Sequence, residues 1–312
     1  MKQSQRNRAL LGILTALVGY TLTPTAALAR AEIPASVYRM GMPSQEAADI
    51  QAAVADNLPE STNINAEFIQ PEYEPELRLS EAATVSVTFV DEGAGYRNAL
   101  GYYSFGAHSF DDLTKADIDV DGDARISLDE LAALPGVQTS LLLPNASRTG
   151  AGGRLNFGDT IDLNDAEPLA AGTRVGFFLI ANGWNGRRNL VNGWDNAAGN
   201  AVYYSSDFLN PEALGTATAG VDLENETRSR HVAMLFSNQR VMLGFEDLNR
   251  DGPSDEDFND AVFVISADPF STLASSNIAS AAGATVSVPE PATVGLLGAA
   301  FALMVLNRRR AS

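Results

Sequence analysis

The chain has 312 residues, of which 45% are hydrophobic, enough for one sizeable core or two small ones with flanking segments. Its 39 acidic and 21 basic residues give a net charge of −18, which argues against nucleic-acid binding and favours cations as small partners. The absence of cysteine excludes disulfides, thiol catalysts and thiolate metal sites, and only His108 and His231 remain for imidazole chemistry.

The N-terminus has the three parts of a secretory signal peptide. Three basic residues within the first eight precede an apolar run at 9–22, and Ala27-Leu28-Ala29 gives the small-x-small pattern that signal peptidase accepts. We therefore expect residues 1–29 to be removed by signal peptidase as the chain is exported. A buried core helix is the alternative interpretation of the apolar run.

A helical lead and an extended connector are expected over residues 30–81. Ser44 suits an N-cap, and apolar residues from 47 to 58 recur at spacings of three and four. The pattern predicts one amphipathic helix over Ser44–Asn57 that ends before a proline. Residues 63–75 carry acids, prolines and few periodic apolar positions, which indicates an extended segment.

The hydrophobic period changes from helical to two at the start of the main domain. Val85, Val87 and Phe89 alternate with polar residues, the pattern of a half-buried strand. Gly-rich and Asn-rich turns follow, and no helices alternate with the strands. The predicted fold is therefore mainly β, an antiparallel β-sandwich over 82–267 with a short N-terminal helix and an inserted EF-hand-like calcium loop. Further strands are predicted at 140–143, 160–163, 174–181, 201–204, 231–236, 240–245 and 261–266.

The sharpest motif is a run of oxygen-bearing side chains from Asp119 to Glu130. Oxygens fall at EF-hand loop positions 1, 3, 5, 9 and 12, a main-chain carbonyl at position 7, and apolar Ile126 at position 8. We therefore expect an EF-hand-like insertion at 117–134 that binds Ca²⁺; a solvated acidic turn is the alternative. Ala124 stands where the motif has glycine, so we expect a lower affinity than that of a good sensor site. The expected ligands are Asp119, Asp121, Asp123, the Arg125 carbonyl, Ser127 and Glu130.

A second acidic cluster lies between the last two predicted strands. Seven carboxylates fall between Glu246 and Asp260, and only Arg250 offsets them. Such like charges repel each other at low dielectric unless a divalent cation neutralises them, and calcium is the natural candidate. Flanking phenylalanines are expected to pin the loop to the core. A solvated loop that protects a strand edge is the alternative. The expected ligands are Glu246, Asp247, Asp251, Asp255, Asp257 and Asp260.

Four stretches of the main domain resemble the LruC-like domain of unknown function 4114. They lie at 87–90, 93–103, 176–184 and 244–263. The likeness spans roughly residues 82–267, and the EF-hand-like loop is an insertion relative to it. The resemblance implies surface association rather than a reaction. It also implies calcium binding by Glu246, Asp247, Asp255, Asp257 and Asp260.

The C-terminus has three parts: Pro289-Glu290-Pro291, an uncharged segment, and Arg308-Arg309-Arg310. The stretch at 292–306 is shorter than the ~20 residues that a comfortable membrane span requires. The tail at 289–312 resembles the PEP-CTERM sorting signal of Gram-negative bacteria, which an exosortase recognises. The resemblance implies a transient inner-membrane tether through 292–306, cleavage near Pro-Glu-Pro, and delivery to the cell surface or exopolysaccharide matrix. The Ala- and Ser-rich residues 268–288 before it are expected to form a flexible linker.

These patterns favour a non-catalytic function. HExxH and GxSxG motifs are absent, and Asp91 with Glu92 is a weak candidate for a hydrolytic carboxylate pair. We expect an exported calcium-binding protein of the cell surface or extracellular matrix, with a structural, adhesive or exopolysaccharide-associated role. Signal peptidase and exosortase are the expected partners, exopolysaccharide is a candidate partner, and nucleic acid is not expected.

The first alternative function is a carbohydrate-binding module, and a glycoside hydrolase is the less favoured one. A sugar-stacking face would need exposed aromatic rings, and packing of the same rings in the core is the interpretation we favour. The residues concerned are Tyr96, Tyr102, Tyr103, Trp184, Trp194, Tyr203 and Tyr204.

Overall fold

The computed structural model describes residues 32–281 except 187–189, 192–200, 220–225 and 238. The predicted signal peptide, Trp194 and the sorting tail lie outside the described residues. The strands, in chain order, are β1 Tyr38–Arg39, β2 Leu77–Arg78, β3 Thr84–Asp91, β4 Ala99–Gly106, β5 Gln138–Leu143, β6 Asp159–Asp162, β7 Thr173–Ile180, β8 Trp184–Asn185, β9 Leu190–Val191, β10 Val202–Tyr204, β11 Val232–Ser237, β12 Arg240–Phe245, β13 Ala261–Asp268 and β14 Ala279–Ser280. The helices are α1 Ser44–Asn57, α2 Lys115–Ile118, α3 Leu128–Ala132 and α4 Glu226–Ser229, with 3-10 turns at Ala66–Ile69, Leu163–Ala166, Asp207–Leu209 and Phe270–Ser275.

Two large sheets make the fold mainly β, as the sequence predicted, and β8 and β9 form a third, two-stranded sheet. The larger has the strand order β1-β6-β3-β13-β12-β11-β14, and the smaller has the order β10-β7-β4-β5, with β2 also paired to β7. The pairs are antiparallel except for β11 with β14, which is parallel. Phe245 of β12 pairs with Ala261 of β13, so the second acidic loop joins two neighbouring strands of the larger sheet.

The main core lies between the two sheets. Val85, Val87 and Phe89 of β3 are buried in it together with Phe177 of β7. Full burial of such a side chain contributes about 1.5–3 kcal/mol, so the two-residue alternation along β3 determines which face of that strand turns inward.

The outer face of each sheet is covered as well. On the smaller sheet the EF-hand-like insertion buries Leu128 and Leu131, and on the larger sheet α1 buries Ile50 and Val54. Central strands are therefore buried on two sides, which explains apolar runs without alternation such as 175–180.

The sequence patterns did not predict β4, although it is central to the smaller sheet. Its residues lack alternation because both faces are buried. It also contains Gly101, where an added Cβ would lie 2.1 Å from Cζ of Phe178. A glycine that permits such close packing resembles a turn signal in the sequence.

The lead differs in two details from its predicted form. The helix over Ser44–Asn57 is confirmed, but Pro43 occupies the N-cap position and no side chain caps the helix. The connector is not extended throughout, because it contains the 3-10 turn Ala66–Ile69 with Phe68 and Ile69 buried.

Residues 270–281 pack into the sandwich, which corrects the expectation of a flexible linker for this stretch. Leu273 and Ile278 are buried in the main core, and β14 pairs with β11. The Ala- and Ser-rich composition favoured a spacer, but small side chains such as Ala279 and Ala281 fit closely against the outer face of the sheet. The remaining linker residues, 282–288, lie outside the described part of the chain.

Candidate metal centres

The EF-hand-like insertion folds as a loop between α2 and α3. Asp119 lies at its centre, where Oδ1 accepts a hydrogen bond from Gly122 N at 2.8 Å and Oδ2 accepts one from Ala124 N at 2.8 Å. Ser127 caps α3, because its hydroxyl accepts from Glu130 N at 3.1 Å while Glu130 Oε2 accepts from Ser127 N at 2.8 Å. The loop therefore holds its first and last acidic residues in defined positions.

Ala124 adopts the left-handed backbone conformation, with φ of 64°. The EF-hand motif places glycine at this position because an L-residue loses roughly 1–2 kcal/mol in that conformation. The sharp turn of the motif is therefore present, and it is formed by a residue that is strained there.

Three of the six predicted ligands of this loop come together. One oxygen from each of Asp119, Asp121 and Glu130 lies within 4.8 Å of the others. Asp123 is outside that group, and its Oδ1 accepts from the N–H two residues further on at 2.8 Å. Two more ligands stay predictions, the Arg125 carbonyl and Ser127.

A buried lysine anchors the insertion to the rest of the domain. Lys115 of α2 is 0% exposed, and its Nζ donates to the carbonyls of Asn210 at 2.6 Å and Ala213 at 3.1 Å. Burial lowers the pKa of this lysine to about 8. The insertion is therefore joined to the segment after β10 by polar as well as apolar contacts.

The second acidic loop is fixed at the end of the larger sheet. The three phenylalanines that flank or interrupt it, Phe245, Phe258 and Phe263, are fully buried, as predicted. Glu246 N donates to the carbonyl of His231 at 3.0 Å, which extends the ladder between β11 and β12 into the loop. The carboxylates are thus carried by an ordered backbone.

Glu246, Asp247 and Asp260 form a compact group, in which the first two are buried and Asp260 is half-buried. One oxygen of each lies within 4.8 Å of the others, and Glu246 and Asp247 are only 0% and 4% exposed. Asp247 N donates to Asp260 Oδ2 at 2.7 Å, and Asn98 Nδ2 donates to Asp247 Oδ2 at 2.6 Å. Leu248 N donates to Glu246 Oε1 at 3.2 Å, whereas Glu246 Oε2 is buried without a hydrogen-bond partner.

The negative charge of this group is poorly compensated. Burial raises the pKa of all three carboxyls, and neighbouring carboxylates raise it further, with Asp255 acting on Glu246 and Asp247 acting on Asp260. Hydrogen bonds from neighbouring groups lower these pKa values only in part. Within the described residues, none of the three forms a salt bridge with a lysine or arginine. Such a group is stabilised either by protons or by a cation.

The other acids of the loop do not join that group. Asp255 and Asp257 lie with Glu60 of the connector, with one oxygen of each within 4.8 Å of the others. Asp251 instead forms an exposed salt bridge with Arg228, so the structure does not bring this predicted ligand together with the rest.

Sequence reasoning missed Glu60 near this loop and considered Glu92 only as half of a weak hydrolytic pair. Glu92 follows β3 directly, is 3% exposed, and has an Oε1 without a partner. Burial raises its pKa to about 7, while Arg148, 3.7 Å away, lowers it. Asp91 beside it is exposed, and both residues line the same cleft, so the hydrolytic pair stays an untested alternative. The position of Glu92 directly after an alternating strand was the one available signal.

Five of the seven aromatic residues considered for sugar stacking are core residues, and Trp194 lies outside the described part of the chain. The buried ones are Tyr102, Tyr103, Trp184, Tyr203 and Tyr204. Tyr96 is 41% exposed, and a single exposed ring does not make a stacking face.

Two family models match the chain. Residues 169–268 match a domain of unknown function (DUF4114), and residues 287–310 match a PEP-CTERM protein-sorting motif. The first match covers the later part of the range that the resemblance suggested and includes the second acidic loop, while the insertion at 117–134 precedes it. The LruC likeness stays an expectation. Neither a search of curated proteins nor a search of solved structures found a match.

The sorting motif indicates an exported protein that an exosortase sorts towards the cell surface. Among the described residues, no helix is both long and apolar enough to cross a membrane, and the segment 292–306 is not among those residues. The chain is therefore a PEP-CTERM protein that carries a DUF4114 domain.

Proposed function

We propose that this exported protein binds calcium at its second acidic loop and acts as a calcium-stabilised, non-catalytic structural module of the cell surface or extracellular matrix. The observation that carries the proposal is the group of buried Glu246 and Asp247 with half-buried Asp260, in which Glu246 Oε2 has no hydrogen bond. A buried carboxylate oxygen without a donor costs about 1–3 kcal/mol or more unless a cation or a proton binds it.

The donor set supports calcium as the cation. All three side chains offer oxygen and none offers sulfur or nitrogen, and calcium accepts six to eight such ligands in flexible geometry. Carboxylates from Glu246, Asp247 and Asp260 would supply the charged ligands. When bound, the ion would neutralise charge that now destabilises the folded loop.

The EF-hand-like insertion is a second proposed calcium site. Its support is the convergence of Asp119, Asp121 and Glu130 and the left-handed turn at Ala124. We place it second because these acids are partly exposed and already accept several backbone hydrogen bonds.

The sorting tail supports the proposed destination, and two finer points follow from it. We propose that the segment 292–306 tethers the chain transiently to the inner membrane, and that exopolysaccharide is its partner after release. Substituting glutamine for Arg308, Arg309 and Arg310 should then prevent release. If mass spectrometry finds matrix-associated protein that still ends at Ser312, the proposal that the chain is tethered and then cleaved is contradicted.

Calcium binding is tested by thermal and urea unfolding, measured once with calcium and once with chelator. The parent is compared with the variant Asp260→Asn. At a hundredfold excess over Kd, calcium should add about 2.7 kcal/mol to the free energy of unfolding of the parent. Asp260→Asn removes one repelling charge and retains an acceptor for Asp247 N, so in chelator it should be more stable than the parent.

The same variant should lose most of the calcium response. Asp112→Asn, at an exposed residue outside every acidic group, is the matched control and should behave as the parent. If chelator leaves the parent's unfolding unchanged, the loop is only an acidic surface feature and the proposal fails.

A further inference from the structure

The connector after α1 is hydrogen-bonded to the second acidic loop. Ser61 N donates to Asp257 Oδ2 at 2.7 Å, and Ile64 N donates to the carbonyl of Glu256 at 2.8 Å. Leu58 lies against the loop as well, since a Cβ added at Gly244 would meet its side chain at 2.7 Å. The lead, which precedes the matched family domain, is thus part of the loop's surroundings.

Three carboxylate oxygens converge where the connector meets the loop, and an amide oxygen lies near one of these side chains. Glu60, Asp255 and Asp257 each place an oxygen within 4.8 Å of the others, and Asp257 is 1% exposed. A Cβ at Gly93 would lie 2.3 Å from Asn259 Oδ1 and 2.7 Å from Glu60 Oε2, so both oxygens reach the same point of the backbone. The set contains three carboxylates and one amide oxygen.

A buried polar atom at the adjoining cleft lacks a hydrogen-bond partner. Glu92 lines a cleft of about 590 Å³ together with Glu60, Gly93 and Asn259, and its Oε1 is buried without a hydrogen bond. The cation that the structure places at this cleft is Arg148, whose Nε lies 3.7 Å from Glu92 Oε2 and whose side chain is 54% exposed. An exposed guanidinium at that distance compensates little of the charge at Glu60 and Asp257.

We infer that Glu60, Asp255, Asp257 and the amide oxygen of Asn259 hold a further calcium ion, separate from the two sites proposed above, which fastens the N-terminal lead to the sandwich. The inference rests on the proposed calcium binding of the loop. It adds a separate ion position, a ligand from outside the family domain, and a consequence: calcium controls whether the lead stays docked. Oxygen donors from two chain segments 196 residues apart would then be joined through one ion.

The test counts calcium ions and follows docking of the lead in the purified full chain. Native mass spectrometry during titration with calcium chloride gives the number of bound ions. Chymotrypsin cleavage after Phe68, which is buried in the docked lead, gives the exposure of that segment. The variants are Glu60→Gln and, as matched control, Glu67→Gln, an exposed acid of the same connector outside the group.

Glu60→Gln should bind one calcium ion fewer than the parent. Calcium should slow cleavage at Phe68 at least tenfold in the parent and in Glu67→Gln, and much less in Glu60→Gln. Asp260→Asn, which changes the neighbouring group, should retain the protection of the lead.

Three results would overturn the inference. Equal ion counts and equal protection in Glu60→Gln and the parent would show that Glu60 is no ligand. Loss of protection in Asp260→Asn would show a single ion serving both groups. A parent that binds no calcium would refute the proposed function itself, which is distinguishable because it is seen without any substitution.

Discussion

The hydroxyl of Tyr204 donates a 2.7 Å hydrogen bond to the carbonyl of Ile126, so a strand of the smaller sheet holds position 8 of the EF-hand-like loop. Tyr204 is itself clamped, because Asn210 Oδ1 accepts from its N–H at 2.6 Å and Asn210 Nδ2 donates to its carbonyl at 2.8 Å. Lys115 bonds the carbonyl of the same asparagine. The loop's geometry therefore depends on the sheet beneath it.

Tyr204→Phe should weaken both the fold and the loop. The substitution leaves the buried Ile126 carbonyl without a donor, at a cost of about 1–3 kcal/mol in the free energy of unfolding. Calcium affinity of the loop should fall with it. Tyr38→Phe, which removes an exposed hydroxyl bonded to Asp162, is the control, and urea unfolding should place it within about 0.5 kcal/mol of the parent. Equal effects of the two variants would contradict the role assigned to Tyr204.

Ala124→Gly should increase the calcium affinity of the EF-hand-like loop. The residue sits at φ of 64°, where glycine avoids a strain of roughly 1 kcal/mol. Calorimetric titration checks the prediction. Ala132→Gly, in the regular helix α3, should instead destabilise by up to about 1 kcal/mol. A lower affinity in Ala124→Gly would mean that the turn is not strained.

Leu131→Ala should destabilise the whole domain and not only the insertion. Leu131 is 0% exposed and belongs to the core on the outer face of the smaller sheet, so truncation should cost about 2–5 kcal/mol. Val120→Ala, at a loop residue 82% exposed, should change stability by less than about 0.5 kcal/mol. A Leu131→Ala protein that keeps the parent's global unfolding transition would show that the insertion is an independent loop.

Glu76 should make stability fall as the pH rises above the ordinary carboxyl range. Burial raises the pKa of Glu76, and the hydrogen bond from Ser206 and the charge of Arg174 lower it only in part. The folded state therefore binds the proton more tightly than the unfolded state. The free energy of unfolding then decreases as the pH rises from about 4.3, the pKa of glutamate in the unfolded chain, to the raised pKa of the folded state.

Glu76→Gln should remove that part of the pH dependence and leave the variant more stable than the parent at neutral pH. Unfolding curves from pH 4 to 8 at fixed calcium concentration measure it. Glu167→Gln, at an exposed residue, is the control. Parallel profiles for Glu76→Gln and the parent would contradict the effect of burial.

The strands with two-residue alternation and the amphipathic helix could be predicted from the sequence, because burial on one face leaves a periodic pattern. β4 could not, since both of its faces are buried and its glycines resemble turn signals. The packing of residues 270–281 was hidden for a similar reason, because small side chains against a sheet have the composition of a spacer.

At the candidate sites, local spacing predicted which acids belong to each loop. It did not predict that the acids of the second loop fall into two separate groups. The contact between Ser61 and Asp257 joins residues 196 positions apart, and no local pattern records it. Glu60 was missed for that reason. Asp251 was included because it lies within the acidic run, although its side chain turns to Arg228.

A crystal of the exported protein grown with calcium, measured for anomalous scattering, tests the central claim most directly. The account predicts a calcium peak about 2.3–2.6 Å from oxygens of Glu246, Asp247 and Asp260. It also predicts that the peak is absent in crystals of Asp260→Asn grown under the same conditions. Ordered water without anomalous signal among the three carboxylates of the parent, at saturating calcium, would contradict the account.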